Sequence, residues 1–538
     1  MTTLVRTDTL TRDALAVLQP GFVGTTAPSW LLRRIGEGLS AVGLFGRNIL
    51  FPDQLAALTA QLRAEREDVL VAIDEEGGDV TRLEVRTGSS FPGNYALGTV
   101  DDTDLTRAVA RELGRRLAEC GVDLNWAPSA DINSNPNNPV IGVRSFGADP
   151  ALAARHTVAY IEGLQAAGVA ACTKHFPGHG DTSVDSHHAL PRIGVDLDTL
   201  HARELVPFRA AIAAGSKAVM SAHILLPALD PDRPATLSPQ ILTGLLREEL
   251  GYEGLIVTDG MEMQAISAVY GIEHGSVLAI AAGADAICVG GGLADEETVL
   301  RLRDALVTAV RDGELPEERL ADAAARVRAL ADWTRRARVA AGESGAASEA
   351  GVPVAQPGEG AASGDDIGLV AARRAVRVTA GQLPYEPVAV APYVAAFTPV
   401  ANIAVGDETP WGVAAELTAM LPGTGTGTYD SATDYDSATT YDGATTYDGT
   451  TRTSGLVGNV LAAAADRRII AVVRDVHRHP WMADALDALI AARPDTVVVE
   501  MGVDRAEPRG ALHIATHGAA RVCGRAAAEV ITGKGAGV

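Results

Sequence analysis

Short apolar runs alternate with longer stretches of helical periodicity through the first two thirds of the chain. Parallel strands that are buried on both faces give continuous apolar runs, and the helices that connect them carry apolar residues three or four positions apart. We assign strands to the runs at 20–24, 42–45, 69–73, 122–127, 169–173, 218–222, 255–258 and 286–289. Strands and helices that alternate in this way predict a TIM barrel, with a doubly wound open sheet as the alternative.

The pattern changes after the predicted barrel. Residues 339–365 are rich in Ala, Gly, Ser, Glu and Pro, a composition typical of a linker. Strand-like runs return further on, at 402–405, 469–473 and 496–501. We therefore expect a catalytic barrel at 1–338 and a smaller α/β domain at 366–538. Within the second domain, a low-complexity insert at about 422–454 repeats Tyr-Asp and has no apolar face to bury, so we expect a surface loop there.

Charge and composition narrow the classes of partner. The formal net charge of −23 is spread along the chain, which argues against nucleic acid or an anionic membrane as partner, because both attract basic patches. We see no secretory signal at the N-terminus and no apolar stretch long enough to cross a bilayer. The four cysteines lack paired spacing. The expectation is a cytoplasmic protein that acts on a small molecule, with its oligomeric state left open.

Polar residues follow most of the predicted barrel strands, where the chemistry of a TIM barrel is located. In strand order they are Asp74, Glu75, Glu76 and Arg82, then Asp131, Asn133 and Arg144, then Lys174 and His175, then Ser221 and His223, and finally Asp259. Each one alone could be a turn residue, a helix cap or an ordinary surface charge. Their recurrence at successive strand ends indicates a site, and carboxylates beside cations and amides suit sugar hydroxyls.

The segment 174–188 gathers one lysine, four histidines and two aspartates among Gly and Pro residues, so we expect a loop. Glycoside cleavage needs a carboxylate nucleophile or base and a proton donor on the other side of the bond. Asp259 suits the first role. His187 suits the second if Asp185 orients its imidazole and stabilises the charged form.

A metal site competes with this interpretation. Its ligands would come from His175, His179, Asp181, Asp185, His187 and His188, a mixture that zinc accepts. We favour a site with no metal, because the segment lacks the helical spacing that orients a dedicated histidine pair.

Five motifs together resemble the β-N-acetylhexosaminidases of glycoside hydrolase family 3, of the peptidoglycan-recycling type. In chain order they are IDEEGG at 73–78, RSF at 144–146, KHFPGHGDT at 174–182 followed by DSH at 185–187, MSAH at 220–223, and TDGMEM at 258–263. The resemblance covers about residues 20–333. It implies a TIM barrel and a retaining exo-β-N-acetylglucosaminidase that needs no cofactor.

The resemblance also implies a role for each matching residue. Asp259 would be the nucleophile that forms a covalent glycosyl-aspartate, and the Asp185–His187 dyad would be the acid/base. The N-acetylglucosamine ring would be held by Asp74, Arg82, Arg144, Lys174 and His175. The alternatives on the same site are a β-glucosidase and a β-N-acetylglucosaminide phosphorylase. A non-catalytic sugar-binding barrel ranks below them, because both Asp259 and His187 are present.

Overall fold

The structure, a computed structural model, describes residues 8–185, 190–293, 295–349, 367–400, 404–406, 408–431 and 449–534. The first domain contains parallel strands that each begin a strand–helix unit. They are β1 (Leu18–Pro20), β2 (Ala41–Leu44), β3 (Leu70–Ile73), β4 (Leu124–Asn125), β5 (Ala170–Phe176), β6 (Ala218–Ser221), β7 (Leu255–Thr258) and β8 (Ile287–Val289).

The strands follow one another in space as they do in sequence. β2 to β7 form one sheet in that order, β1 pairs with β8, and a bridge between Val257 and Ala286 links β7 to β8. β1 also lies against β2, so the sheet curls into a ring. This order confirms the predicted TIM barrel over the doubly wound alternative, in which the strand order reverses part-way.

Helices cover the outside of the barrel. They are Thr9–Ala16, Ser29–Glu37, Pro52–Glu65, Asn94–Val100, Thr103–Glu119, Pro150–Ala166, Leu205–Ala213, Gln240–Glu249, Gln264–Tyr270, Ile272–Ala282, Glu296–Arg311 and Glu317–Glu349. The helix Thr103–Glu119 illustrates why they form: the Asp102 side chain caps its first turn, and Leu105, Val109 and Leu113 lie on its buried face. Among the described residues, no single helix has the length and apolar character to cross a membrane; the bent pair Gln264–Tyr270 and Ile272–Ala282 passes that test only jointly.

The second domain is an open sheet with helices on both faces. Its strands are β9 (Arg377–Ala380), β10 (Tyr393–Phe397), β11 (Gly425–Tyr429), β12 (Ile469–Val473), β13 (Val497–Glu500) and β14 (Leu512–Ala515). Their order is β11-β10-β12-β13-β14-β9, parallel except for the edge strand β9. Its helices are Ile367–Ala375, Ala414–Met420, Gly449–Ala464, Pro480–Ala492 and Arg521–Thr532. This confirms the predicted smaller α/β domain.

Three local expectations need correction or qualification. The run at 402–405 is not a strand where it is described: Ala404 and Val405 form a turn, and 401–403 lie outside the described residues. Tyr429, the first tyrosine of the repeat, ends β11 and is buried, with its hydroxyl 2.7 Å from that of Tyr393. The later tyrosines of the repeat lie outside the described residues. The helix Glu317–Glu349 extends into the segment expected to be a linker.

The carboxyl ends of both sheets face each other across the domain interface. Asp79, which follows β3, pairs with Arg474 after β12 and accepts a hydrogen bond from the Ala519 amide (2.8 Å). The other polar contacts between the domains include Tyr95 Oη to Asp504 Oδ1 (2.9 Å), Arg374 Nη1 to Asp102 Oδ2 (2.7 Å) and His477 Nε2 to the Pro136 carbonyl (2.9 Å). The second domain therefore lies over the end of the barrel where the candidate residues are.

Candidate active site

A cleft of about 620 Å³ opens at the carboxyl ends of the barrel strands. Six of the eight predicted site residues line it: Asp74, Arg82, Arg144, Lys174, His175 and Asp259. Of the other two, Asp185 lines an adjoining pocket, and His187 lies outside the described residues. The side chains of Trp126, Met220 and Cys288, all nearly buried, form an apolar floor, so the cleft ends on the packed barrel interior.

Strand β5 delivers Lys174 and His175 directly. The expectation that the loop begins at Lys174 is wrong for its first three residues, because β5 continues to Phe176. The strand pairs with β6 through an irregularity between Thr173 and Phe176, and the Lys174 carbonyl accepts a hydrogen bond from the Ala130 amide (2.7 Å). Both side chains are therefore held by a rigid, buried strand.

Lys174 is the centre of a buried ionic network. Its Nζ lies 2.6 Å from Asp74 Oδ1 and 2.7 Å from Glu76 Oε1. Glu76 also accepts from Arg144, with Nη2 at 2.6 Å and Nε at 3.0 Å. Although burial alone would raise the pKa of Glu76, the two cations hold it well below its usual range. Arg82 extends the network to the rim, with Nη2 3.5 Å from Asp74 Oδ2.

His175 is fixed by hydrogen bonds on both sides of its ring. Its Nδ1 lies 2.6 Å from Asp131 Oδ2, and its Nε2 lies 3.4 Å from Arg144 Nη2. Asp131 also accepts from the backbone amide of His179 (2.7 Å). These contacts hold the pKa of Asp131 well below its usual range despite its burial.

The segment that carries Arg82 is anchored by Glu75 beneath the cleft. Glu75 Oε2 accepts hydrogen bonds from the backbone amides of Arg82 (2.7 Å) and Leu83 (2.8 Å). Its own amide donates to Asn125 Oδ1 (2.9 Å). Burial raises the pKa of Glu75 to about 7. Of the three carboxylates of the IDEEGG motif, Glu75 has a structural role, and Asp74 and Glu76 belong to the ionic network.

Asp259 stands at the end of β7 and is partly exposed to the cleft. Its Oδ1 accepts a hydrogen bond from the Gly260 amide (2.8 Å), and its own amide donates to the Ser221 carbonyl (3.2 Å). The buried His223, after β6, donates from Nε2 to the Gly260 carbonyl (2.9 Å). His223 therefore positions the turn that carries Asp259, which is the role the structure gives to this strand-end residue.

The chain is similar to a known family of domains. Residues 33–330, more than half of the chain, match the domain family described as the glycosyl hydrolase family 3 N terminal domain. The chain belongs to glycoside hydrolase family 3. The resemblance read from the motifs is confirmed, and with it the expectation of a glycoside hydrolase.

The individual relatives are named as beta-hexosaminidases or as a beta-N-acetylglucosaminidase. The chain is 36% identical to beta-hexosaminidase A of Pseudoalteromonas piscicida over 57% of this chain and 55% of that protein, so it spans about half the length of that relative. It is 37% identical to a beta-hexosaminidase of Neisseria meningitidis over 48% of this chain and 73% of that protein. A glycoside hydrolase family 3 beta-N-acetylglucosaminidase from Paenibacillus superposes with a TM-score of 0.79 at 32% identity, over 98% of this chain and 97% of that one.

Two lining features of this family 3 cleft were not among the predicted site residues. Glu262 accepts from the Gly290 amide through Oε1 (3.0 Å), while its buried Oε2 has no hydrogen-bond partner among the described residues. Its position in the TDGMEM motif, just past β7, is the signal that could have indicated it. The second feature is a turn of the second domain: the Ala404 carbonyl accepts from Arg82 Nη2 (2.8 Å), and Glu408 lines the rim. No spacing in the sequence connects that turn to the barrel.

The histidine-rich loop after β5 is partly described. His179 is buried with Nδ1 3.0 Å from Thr182 Oγ1, and burial together with nearby His175 lowers its pKa to about 4, so it is neutral and shapes the loop. Asp181 pairs with Arg203 (2.7 Å). Over the described ranges, no three His, Cys, Asp or Glu side chains are grouped to ligate one metal ion. His187 and His188, which the metal alternative also needs, lie outside those ranges.

Proposed function

We propose that this family 3 enzyme is a retaining exo-β-N-acetylglucosaminidase, which removes terminal β-linked N-acetylglucosamine through a covalent glycosyl-aspartate. The observation that carries the proposal is the position of Asp259, at the rigid end of β7, in the same cleft as the Asp74–Lys174–Arg144 network. The names of its relatives, beta-hexosaminidases and a beta-N-acetylglucosaminidase, supply the sugar.

The sugar is held by the ionic network. Asp74 is partly exposed and accepts hydrogen bonds from ring hydroxyls, while Arg82 and Arg144 donate to them. His175, on β5, lines the same wall of the cleft. The apolar floor closes the cleft at the barrel interior. The sugar at the non-reducing end of a saccharide therefore enters the cleft, and the next sugar stays outside it. That arrangement supports exo action.

Asp259 then acts as the nucleophile. The Gly260 amide donates to Oδ1 and orients the carboxylate, which attacks the anomeric carbon. The Asp185–His187 dyad donates a proton to the leaving oxygen and afterwards activates water, which breaks the glycosyl-aspartate bond. Inversion at each of the two steps gives net retention. The dyad stays a prediction, since His187 lies outside the described residues.

A panel of 4-nitrophenyl β-glycosides tests the sugar assignment. We expect the highest kcat/KM on the N-acetylglucosaminide, with the glucoside cleaved more slowly. A preference for the glucoside would contradict the proposal and favour the β-glucosidase alternative. Initial rates with and without phosphate separate hydrolysis from phosphorolysis: we expect no sugar 1-phosphate among the products.

A pair of loop variants tests the dyad. His187→Ala is expected to slow substrates with poor leaving groups more than those with good ones, because only poor leaving groups need protonation. Asp185→Asn is expected to change the pH profile of kcat/KM. Asp181→Asn is the matched control, because Asp181 lies on the same loop but pairs with Arg203. Equal losses for both leaving groups in His187→Ala would rule out a proton-donor role.

A further inference from the structure

The loop that follows β8 binds the carboxylate of Glu262, which comes from the loop after β7. Glu262 Oε1 accepts hydrogen bonds from two successive backbone amides, those of Gly290 (3.0 Å) and Gly291. A Cβ atom on Gly291 would lie 2.8 Å from Oε1, so glycine lets the carboxylate come this close. Successive backbone amides that point at one anion form a nest. The Gly290–Gly291 nest is therefore an anion site that the chain fills with its own carboxylate.

Arg47, which follows β2, holds the nest from its other side. It donates to the Gly291 carbonyl from Nη1 (2.9 Å) and to the Gly290 carbonyl from Nη2. Burial lowers the pKa of Arg47, and the nearby carboxylates of Glu262 and Glu408 oppose that shift. The loops after strands seven and eight are also where many TIM barrels hold phosphate. Without the carboxylate of Glu262, the two amides and the guanidinium would therefore attract an anion.

The nest lies beside the reacting centre. Glu262 and Gly291 line the same cleft as Asp259. A Cβ atom on Gly260, the residue after Asp259, would lie 3.3 Å from Glu262 Oε2. That oxygen is buried and has no hydrogen-bond partner among the described residues. The charge of Glu262 is therefore next to the place where the anomeric carbon of the sugar meets the nucleophile.

The cations of the cleft already have partners. Each of them donates to a carboxylate or to a backbone carbonyl; they are Arg47, Arg82, Arg144 and Lys174. The carboxylates that line the same cleft are Asp74, Asp259, Glu262 and Glu408. A neutral sugar can exchange hydrogen bonds with both sets. A sulfated or phosphorylated sugar would bring a further negative charge, and no lining cation among the described residues is free to pair with it.

We propose that Glu262 makes the enzyme select a neutral terminal sugar. Its carboxylate fills the anion nest of the cleft and repels a sugar that carries a tetrahedral oxyanion, such as sulfate or phosphate. The inference rests on the proposed function, which places the terminal sugar in the cleft with its anomeric carbon at Asp259. Glu262 is then a specificity-determining residue, because it selects the sugar that Asp259 attacks.

Two substrates that differ in one substituent test this selection. They are 4-nitrophenyl N-acetyl-β-glucosaminide and its 6-sulfate, in which the acetamido group and the leaving group are unchanged. At the effective dielectric constant of a protein surface, a carboxylate and a sulfate a few ångströms apart repel each other enough to change kcat/KM about hundredfold. We expect the unaltered enzyme to prefer the neutral substrate by about that factor.

Glu262→Gln removes the charge and keeps an oxygen on the nest. It should reduce the preference for the neutral substrate about tenfold, with the remainder due to repulsion by Asp74 and Glu408, which also line the cleft. A preference that Glu262→Gln leaves unchanged would overturn the inference.

Inorganic sulfate tests the nest itself. In Glu262→Ala the amides of Gly290 and Gly291 lose their acceptor, so sulfate should compete with the neutral substrate and raise its KM. We expect an inhibition constant about tenfold lower than for the unaltered enzyme. Glu262→Gln should stay as insensitive as the unaltered enzyme, and sodium chloride at the same ionic strength controls for salt. Equal inhibition of all three proteins, or of none, would overturn the inference.

Glu248→Gln is the control for the loss of one charge, because Glu248 is exposed and is not part of the cleft wall. It should keep both the preference and the sulfate response of the unaltered enzyme. If Glu262→Ala does not fold, the comparison of the two substrates with Glu262→Gln decides the inference. A preference for glucosides would contradict the proposed function alone, because the same comparison can be made with 4-nitrophenyl β-glucoside and its 6-sulfate.

Discussion

Replacing Lys174 with Met should destabilise the barrel through the carboxylates that the lysine neutralises. Lys174 is 2% exposed, and its ammonium lies within 2.7 Å of oxygens from both Asp74 and Glu76. Breaking a buried ion pair by removing one partner costs about 3–5 kcal/mol. Because Arg144 still pairs with Glu76 in the variant, we expect the lower end, about 3 kcal/mol at pH 7.

The dependence on pH distinguishes this mechanism from a packing defect. The lowered pKa of Glu76 contributes stability that is present above the ordinary value of 4.5 and is lost as the pH falls through the folded-state pKa. Lys174 is one of the two cations that lower it. Without the lysine the pKa of Glu76 lies closer to its ordinary value of 4.5. The destabilisation by Lys174→Met should therefore be largest near neutral pH and shrink as the pH falls below about 4.5, where Glu76 of the folded variant takes up a proton.

Urea-induced unfolding followed by circular dichroism at pH 7 and pH 4 measures both quantities. Lys534→Met is the matched control, because Lys534 is exposed and, among the described residues, its ammonium donates only to the Met420 carbonyl. Its effect should stay within about 0.5 kcal/mol. The double variant Lys174→Met/Glu76→Gln should lose less than the sum of the two single variants. A loss below about 1 kcal/mol, or one that is the same at both pH values, would show that Lys174 does not stabilise the barrel through these carboxylates.

Three further outcomes are expected. Burial raises the pKa of Glu204 to about 7 from 4.5, so between these pH values the folded state holds a proton that the unfolded state has lost. The free energy of unfolding should therefore fall by about 3 kcal/mol as the pH rises from 4.5 to about 7. Glu204→Gln should flatten this decline in urea titrations, and an unchanged dependence on pH would contradict the role of Glu204. Asp79→Ala should lower the thermal unfolding midpoint, whereas exposed Asp466→Ala should not, and equal midpoints would mean that the Arg474 pair does not dock the domains. Glu262→Gln should raise KM for the nitrophenyl N-acetylglucosaminide about tenfold if Glu262 Oε2, which has no hydrogen-bond partner among the described residues, accepts a sugar hydroxyl. An unchanged KM would exclude that contact.

Most of the barrel could be predicted from the sequence, because its strands are buried on both faces and each gives a continuous apolar run. β7 begins and ends where the run at 255–258 predicts. β4 is shorter than its run, since only Leu124 and Asn125 pair with β3. β1 lies earlier than expected, because its register with β8 runs from Leu18 to Pro20. Hydrophobicity alone does not indicate the residue at which backbone pairing between two strands ends.

The candidate site could be predicted where chemistry and strand ends coincide. Asp74 and Asp259 each follow a barrel strand directly and Lys174 lies among the last three residues of β5, and parallel strands place such residues together. The turn at Ala404 could not be predicted, because its contact with Arg82 joins residues more than three hundred positions apart. The low-complexity repeat predicted a surface loop at Tyr429, and this was wrong for that residue. Pairing of β11 with β10 buries Tyr429, although the repeat itself has no apolar face.

Trapping of the glycosyl-enzyme identifies the nucleophile directly. A fluorinated N-acetylglucosaminyl fluoride that slows the second chemical step should accumulate the covalent intermediate, and peptide mapping by mass spectrometry locates the sugar. We expect one added sugar on the peptide that contains Asp259, and none in Asp259→Ala. A sugar on any other carboxylate, or turnover by Asp259→Ala at the rate of the unaltered enzyme, would contradict the assignment of Asp259 as the nucleophile.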